Sequence, residues 1–425
     1  NPAVGLNYDT IQPPYTIDHL LEIHNARKIA RDHERMTLIL ENWKKKQSYE
    51  MKPKLLFVCA SGGGQRAALW TLNALLHADS ILNQSLMDRT FMITGASGGL
   101  IGAAYHRELA FRKKNNIEAI SSKTALTNIS KDNLNAVIFT LLSNDLLLKL
   151  NKHTFQDRSY RKDRGFAFEQ NLNDNLGEVF RTLLDDYRID EESGDIPLLL
   201  MSPTIANDGR RLLLSTQSFS FLANNQDDNS ALVAVDYQTL FQDLQPGDLS
   251  FLAALRMSAS FPYITPNVSL PTVPRTEIMD AGISDNFGIA DAVSFIYEFR
   301  DWIDENTSGV VLLTVRDTKS NREIEPLSTP SIVDRITYPV ASVYNNLINM
   351  QDNRNQRKLG QLRSHLRKNL ELIELSYDSD PDQNQTTRAS LSWHLTASEK
   401  RNILSNIKLE ENQRQLKRLD SLMTP

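Results

Sequence analysis

The sequence predicts an α/β fold built on a mainly parallel sheet, and three observations carry that expectation. The run Leu55 to Ala60 (LLFVCA) is apolar without interruption, as suits a strand buried on both faces. It enters a glycine-rich turn and a helix-patterned segment, and the stretch Phe91 to Tyr105 (FMITGASGGLIGAAY) repeats that order. Two successive strand–loop–helix units imply right-handed crossovers that cover both faces of a parallel sheet.

The bulk composition sets the class. At 425 residues, with 40% hydrophobic and 23% charged side chains, the chain can bury a full core as an ordinary globular protein. A net charge of −5 gives no basic field for nucleic acid. The one cysteine, Cys59, excludes a disulfide framework and a cysteine-based zinc site. No run of 18 apolar residues exists to span a membrane as a helix. The first residue is Asn1, not Met, so a signal, anchor or further domain ahead of it is compatible with the sequence.

In chain order, residues 1–16 read as irregular, and one helix is predicted from Ile17 to about Lys46 by apolar residues at three-to-four spacing. Lys44, Lys45, Lys46, Lys52 and Lys54 follow its end. They read first as cations suited to a helix C-terminus and second as a patch for anionic lipid heads. After the two strand–helix units, Val137 to Leu150 is either a core-facing helix or a lid over an apolar cleft, and Arg158 to Arg164 is a charged loop. Strands are expected at Ile196 to Met201, Arg211 to Leu214, Gly309 to Val315 and Leu372 to Tyr377, a polar loop at Asp378 to Thr387, and a charged helix at Ala397 to Leu419. No linker divides the chain. It is read as an N-terminal helical extension (1–50), a catalytic domain (51–400) and a C-terminal helix (401–425).

The chemistry centres on Gly95-Ala96-Ser97-Gly98-Gly99. A serine on a sharp strand-to-helix turn needs small neighbours, and its hydroxyl then projects beside helix N-terminal amides. A serine hydroxyl is a weak nucleophile and requires a base and donors for the developing oxyanion. Gly62, Gly63 and Gly64 follow a strand and open a helix, so their amides can converge on a substrate oxygen. That loop lacks the Lys-Ser/Thr of a nucleotide loop, and a plain tight turn is its other reading. Arg66 is either a charge near the site or a clamp on the loop, and Gly98 is assigned a supporting role.

Two histidines, His365 and His394, lie far enough downstream for the order Ser…Asp…His, and neither follows a strand in a turn of small residues. Asp280 is better placed, with Ile278 and Met279 leading into it and Ala281 and Gly282 after it. A free aspartate titrates near ~3.9 and is a poor base, but burial raises its basicity.

SGGGQRA at 61–67, GASGG at 95–99 and DAGISDNFG at 280–288 occur in the order found in patatin-like phospholipases, a family related to the cytosolic phospholipases A of animals. LRMSASFPYITP at 255–266 resembles the family's block preceding the aspartate, and LLLMSPTIANDGRRLLLS at 198–215 its strand-hairpin block. The resemblance covers about residues 52–320, with SWHLTASEK at 392–400 a weaker extension. It implies a three-layer α/β/α sandwich and a dyad of Ser97 as nucleophile and Asp280 as base. It also implies an oxyanion hole from Gly62, Gly63 and Gly64, with neither metal nor organic cofactor. The implied activity is that of a serine esterase of phospholipase A or lysophospholipase type, acting through an acyl-enzyme. Ala281 and Ala67 stand where glycine is commoner in the family, and both are small.

Phospholipid or lysophospholipid substrates, transient membrane contact, no nucleic acid, and a cytoplasmic or peripheral-membrane location are the accompanying expectations. Three rival readings remain: an α/β-hydrolase with a Ser-His-Asp triad based on His394, an acyltransferase, and a catalytically silent lipid-binding module.

Overall fold

The computed structural model describes residues 1–47, 52–140, 152–225, 228–260, 265–319, 332–378, 389 and 392–424. Five strands form the main sheet: β1 (Lys54–Ala60), β2 (Thr90–Gly95), β3 (Leu198–Met201), β4 (Gly309–Arg316) and β5 (Leu370–Ser376). Their order is β5-β4-β1-β2-β3, and every neighbouring pair is parallel. Helices Gly64–Ile81 and Ser97–Lys114 supply the crossovers out of β1 and β2, as parallel pairing requires.

Alternation along β1 sorts the core into two layers. Leu56, Val58 and Ala60 join Leu72, Leu75, Ile101 and Tyr105 of the crossover helices in one buried cluster. Leu55, Phe57 and Cys59 join Met36, Trp43, Phe295 and Ile303 in the other. Helices therefore cover both faces of the parallel sheet, which is the α/β/α layering expected. The second layer is strongly aromatic: Phe91 and Phe295 have ring centroids 5.3 Å apart, and Phe295 stacks on Phe299 at 4.6 Å. Such pairs each contribute about 0.5–1.5 kcal/mol beyond their buried area.

A second sheet is mostly antiparallel. Its strands run in the order Ala234–Asp236, Arg211–Leu213, Thr204–Ile205, Thr276–Met279 and Val268–Leu270, and only the first pair is parallel. A bridge between Met201 and Leu214 joins it to β3. This sheet positions the site, because Asp280 follows Thr276–Met279 whereas Ser97 follows β2.

Several segments differ from the sequence expectation. The first helix is two, Ile17–Ile23 and Ala26–Lys46. The buried His24 ring receives the Asp236 amide on Nε2 at 3.0 Å and Asn25 caps the second helix, so long-range bonding breaks a continuous apolar pattern. The charged loop after residue 158 contains strand Arg158–Arg161, paired with Lys152–Phe155. The C-terminal helix is interrupted: Ala397–Ser405 and Glu410–Met423 flank a short 3-10 turn. There Asn412 bonds the Ser376 backbone on both sides. Leu134–Thr140 is helical with Val137 buried, whereas 141–151 and the polar loop at 379–388 lie outside the described residues. Lys44 reaches Asn306 at 2.5 Å, Lys54 the Leu422 carbonyl at 2.6 Å, and Lys46 pairs with Asp195.

Candidate active site

The serine turn is built by close backbone packing. Ala96 is extended, and Ser97 takes φ +50° as the first residue of its helix. A non-glycine residue in this left-handed region costs about 1–2 kcal/mol, so neighbouring contacts must impose it. Ala96 donates its amide to the Ala60 carbonyl at 3.0 Å and accepts that of Leu100 at 3.2 Å. A Cβ on Gly98 would stand 1.8 Å from the Gly64 carbonyl oxygen, and one on Gly99 2.1 Å from that of Ser61. The serine turn and the glycine loop are thus pressed together at these two points. Gly98→Ala is expected to cost at least about 1–3 kcal/mol by overpacking and to separate the two elements, seen as a lower thermal midpoint together with slowed serine labelling.

The glycine loop is fixed along its length. Ser61 donates its amide to Val315 at 2.9 Å, and its hydroxyl accepts the Asp317 amide at 2.6 Å. Gln65 donates its amide to Ser392 at 2.8 Å. Gly62 donates its amide to the Asn286 carbonyl at 2.9 Å, so this N–H does not face the site as the sequence reading had it. The amides of Gly63 and Gly64 bond to no described residue. Gly63 has φ +149°, and a Cβ there would collide with the Asp317 carboxylate at 2.3 Å.

Arg66 is buried beneath this loop. Its Nε donates to Asp317 Oδ1 at 2.7 Å, its Nη2 pairs with Oδ2, and its Nη1 donates to the Ala389 carbonyl at 2.6 Å. Of the two sequence readings of Arg66, these contacts are those of a clamp. Asp317 was not anticipated; its place just past the C-terminal end of a parallel strand was the available signal.

Asp280 is buried at 2% exposure, and Ser97 at 8%. The Asp280 amide donates to the Ser260 carbonyl at 2.9 Å, and Oδ1 accepts the Gly282 amide at 2.7 Å. Burial pushes the carboxyl up to about 6, opposed by the Gly282 amide and by the Ser97 hydroxyl, both of which favour the charged form. The hydroxyl therefore lies within electrostatic reach of the carboxyl. Oδ2 nevertheless closes no hydrogen bond of ordinary geometry among the described residues. The geometry brings together a serine on a strained turn, a buried carboxyl with an unengaged oxygen, and two unengaged amides.

The histidines lie elsewhere. His394 is half exposed with Nδ1 2.6 Å from Asp132 Oδ2, and the exposed His365 bonds the Gln361 carbonyl at 2.8 Å. Neither hydrogen-bonds to Ser97. Residues 261–264 of the block preceding the aspartate lie outside the described residues.

Residues 58–293 match the family model for patatin-like phospholipase. No curated protein matches the chain. Among solved structures, human GIVD cytosolic phospholipase A2 with methyl gamma-linolenyl fluorophosphonate and terbium chloride is 14% identical at TM-score 0.41, covering 100% of this chain and 65% of that one. The same human protein with methyl gamma-linolenyl fluorophosphonate is also 14% identical, at TM-score 0.36, with 100% and 66% coverage. VipD from Legionella pneumophila is 12% identical at TM-score 0.31, covering 87% of this chain and 67% of that one. The chain spans between 26% and 66% of the human chains it matches.

Proposed function

This chain belongs to the patatin-like phospholipase family, and on that premise we propose that it is a lipid acyl hydrolase cleaving carboxylic esters of phospholipids or lysophospholipids. The observation that carries the reading is the buried Asp280 carboxyl, held up to about 6, with one oxygen unengaged and its charged form favoured by the hydroxyl of the strained Ser97. A carboxyl of that basicity is largely ionised near neutral pH and can take a hydroxyl proton as the new bond forms.

In this reading Asp280 removes the Ser97 proton while Oγ attacks the ester carbonyl. The Gly63 and Gly64 amides receive the oxyanion, joined by the Gly98 amide at the start of its helix, and Gly62 holds the loop through Asn286. Asp280 then passes the proton to the departing alcohol, leaving an acyl-Ser97 ester. Water, deprotonated by Asp280, attacks that ester; the fatty acid leaves and Ser97 regains its proton. The catalytic domain of this reading spans residues 51–400, between an N-terminal helical extension (1–50) and a C-terminal helix (401–425).

Bilayer lipids must be met at a surface, so the reading includes peripheral membrane contact. No described helix is long and apolar enough to cross a membrane.

A panel of phospholipids, lysophospholipids and neutral glycerides, with products identified by mass, tests the proposal. The expected result is release of free fatty acid from at least one phospholipid or lysophospholipid, unchanged by added glycerol or lysolipid as competing acceptors. Acyl transfer to an acceptor in place of free acid would replace hydrolysis by transfer. No turnover of any lipid by labelled, folded protein would sink the proposal.

A further inference from the structure

The long helix Ile332–His365 presents one face, Gln351, Arg354 and Asn355, to the turn that follows Asp280. This is an i, i+3, i+4 set, so the three side chains sit together on that face. Arg354 reaches the Ser284 carbonyl at 2.7 Å from the exposed side, and Asn355 approaches Asp285 Oδ1 at 3.3 Å. Gln351 is different in kind. It is 3% exposed and spends its whole amide on the turn. Its Oε1 accepts the Asn286 amide at 2.8 Å, and its Nε2 donates to the carbonyls of Gly282 at 3.0 Å and Ile283 at 2.8 Å.

Two of those three contacts fall on residues that themselves bond a part of the site. The amide of Gly282 holds Asp280 Oδ1, and Gln351 holds the carbonyl of the same residue. The carbonyl of Asn286 receives the Gly62 amide, and Gln351 holds the amide of the same residue. Gly62 in turn precedes the two unengaged loop amides. One side chain therefore fixes the orientation of the carboxyl and the position of the glycine loop at once. A Cβ on Gly62 would lie 2.5 Å from Asn286 Oδ1 and 3.2 Å from Ser97 Cβ, so Asn286 and Ser97 flank the same point of the glycine loop. The helix is itself anchored: Asp352, next to Gln351, takes a fork of two bonds from Arg316 at the end of β4, at 2.9 and 2.8 Å.

We infer that Gln351 is a positioning residue that keeps the Asp280 carboxyl and the glycine-loop amides in register with Ser97. This rests on the Ser97–Asp280 reading of the site. Gln351 touches neither reacting group and acts through the backbone of Gly282 and Asn286. Glutamine suits the task because one planar amide supplies an acceptor and two donors in fixed relation. Displacement of reacting groups by an ångström costs on the order of a hundredfold in rate, so the effect belongs in kcat and not in substrate affinity.

The test is Gln351→Met, which keeps the volume and removes all three bonds, assayed with the lipid turned over best by the wild type and with a fluorophosphonate serine probe. Rates are referred to the folded fraction measured by circular dichroism. The expected result is a kcat lowered ~10–100-fold with KM within about twofold, and probe labelling slowed in parallel. Gln351→Glu is the second variant should the first not fold; it retains the acceptor for Asn286, keeps at most one of the two donors, and is expected to lower kcat in the same direction. A kcat per folded molecule within about twofold of wild type in either folded variant overturns the inference, as does a loss confined to KM. Asp280→Asn is run alongside. If it is inactive while the Gln351 variants are normal, only the positioning role fails; if it is active, the dyad itself fails.

Discussion

Replacing Ser97 by alanine is expected to abolish fluorophosphonate labelling and to lower lipid hydrolysis by about 10⁴-fold or more, as removal of a covalent nucleophile does. The protein should stay folded. The substitution removes one oxygen from a side chain on a turn held by the Ala96–Ala60 bond and by the close packing of Gly98 and Gly99. Alanine keeps the same Cβ, so φ +50° is no more strained than before. Labelling of the alanine variant at the wild-type rate would mean that another nucleophile reacts. Labelling is measured by intact mass, and the fold by thermal melting.

Asp280→Asn carries the second large effect, and it acts in opposite directions on rate and stability. The rate is expected to fall by about 10²–10⁴-fold, since an amide cannot accept the serine proton. In the wild type the same group sets an acid limb: kcat/KM should decline as pH drops through about 6, where the carboxyl becomes protonated. Stability follows the raised value. The folded state holds this proton more tightly than the unfolded chain, where aspartate titrates near ~3.9. The contribution is therefore fully present below about pH 4, is lost as pH rises through about 6, and is flat above. Near neutral pH, keeping the buried carboxylate charged costs about 3 kcal/mol. Asparagine removes that cost, so Asp280→Asn should melt higher than wild type at about pH 7.5 and lose the advantage at about pH 4. A lower midpoint at both pH values would show that the carboxyl is held by bonds that outweigh its burial.

Much of this arrangement was legible locally. The apolar run of β1, the glycine loop after it and the serine turn after β2 announce themselves because each is a contiguous pattern with one physical cause. Asp280 was legible from its small neighbours at a strand end. What escaped was set by distant partners. Nothing near Gly62 tells that its amide is taken by Asn286, more than two hundred residues away. Nothing near Gln351 distinguishes it from other polar residues on a charged helix until the turn it grips is in place. The break at His24 has the same origin, since its ring is claimed by the Asp236 amide. Of the mostly antiparallel second sheet only Arg211–Leu213 and the strand leading into Asp280 were legible, because Thr204–Ile205, Ala234–Asp236 and Val268–Leu270 are two or three residues long, too short to show alternation. It is this sheet that carries Asp280, which follows Thr276–Met279.

The central claim is that an aspartate, and no histidine, activates Ser97. The most direct measurement is the rate constant for fluorophosphonate labelling of Ser97 in Asp280→Asn and His394→Ala, side by side with wild type. His394→Ala should label within about twofold of wild type, because its ring is engaged with Asp132 on the surface, while Asp280→Asn should label at least about a hundredfold more slowly. Slow labelling of His394→Ala with normal labelling of Asp280→Asn would contradict the account.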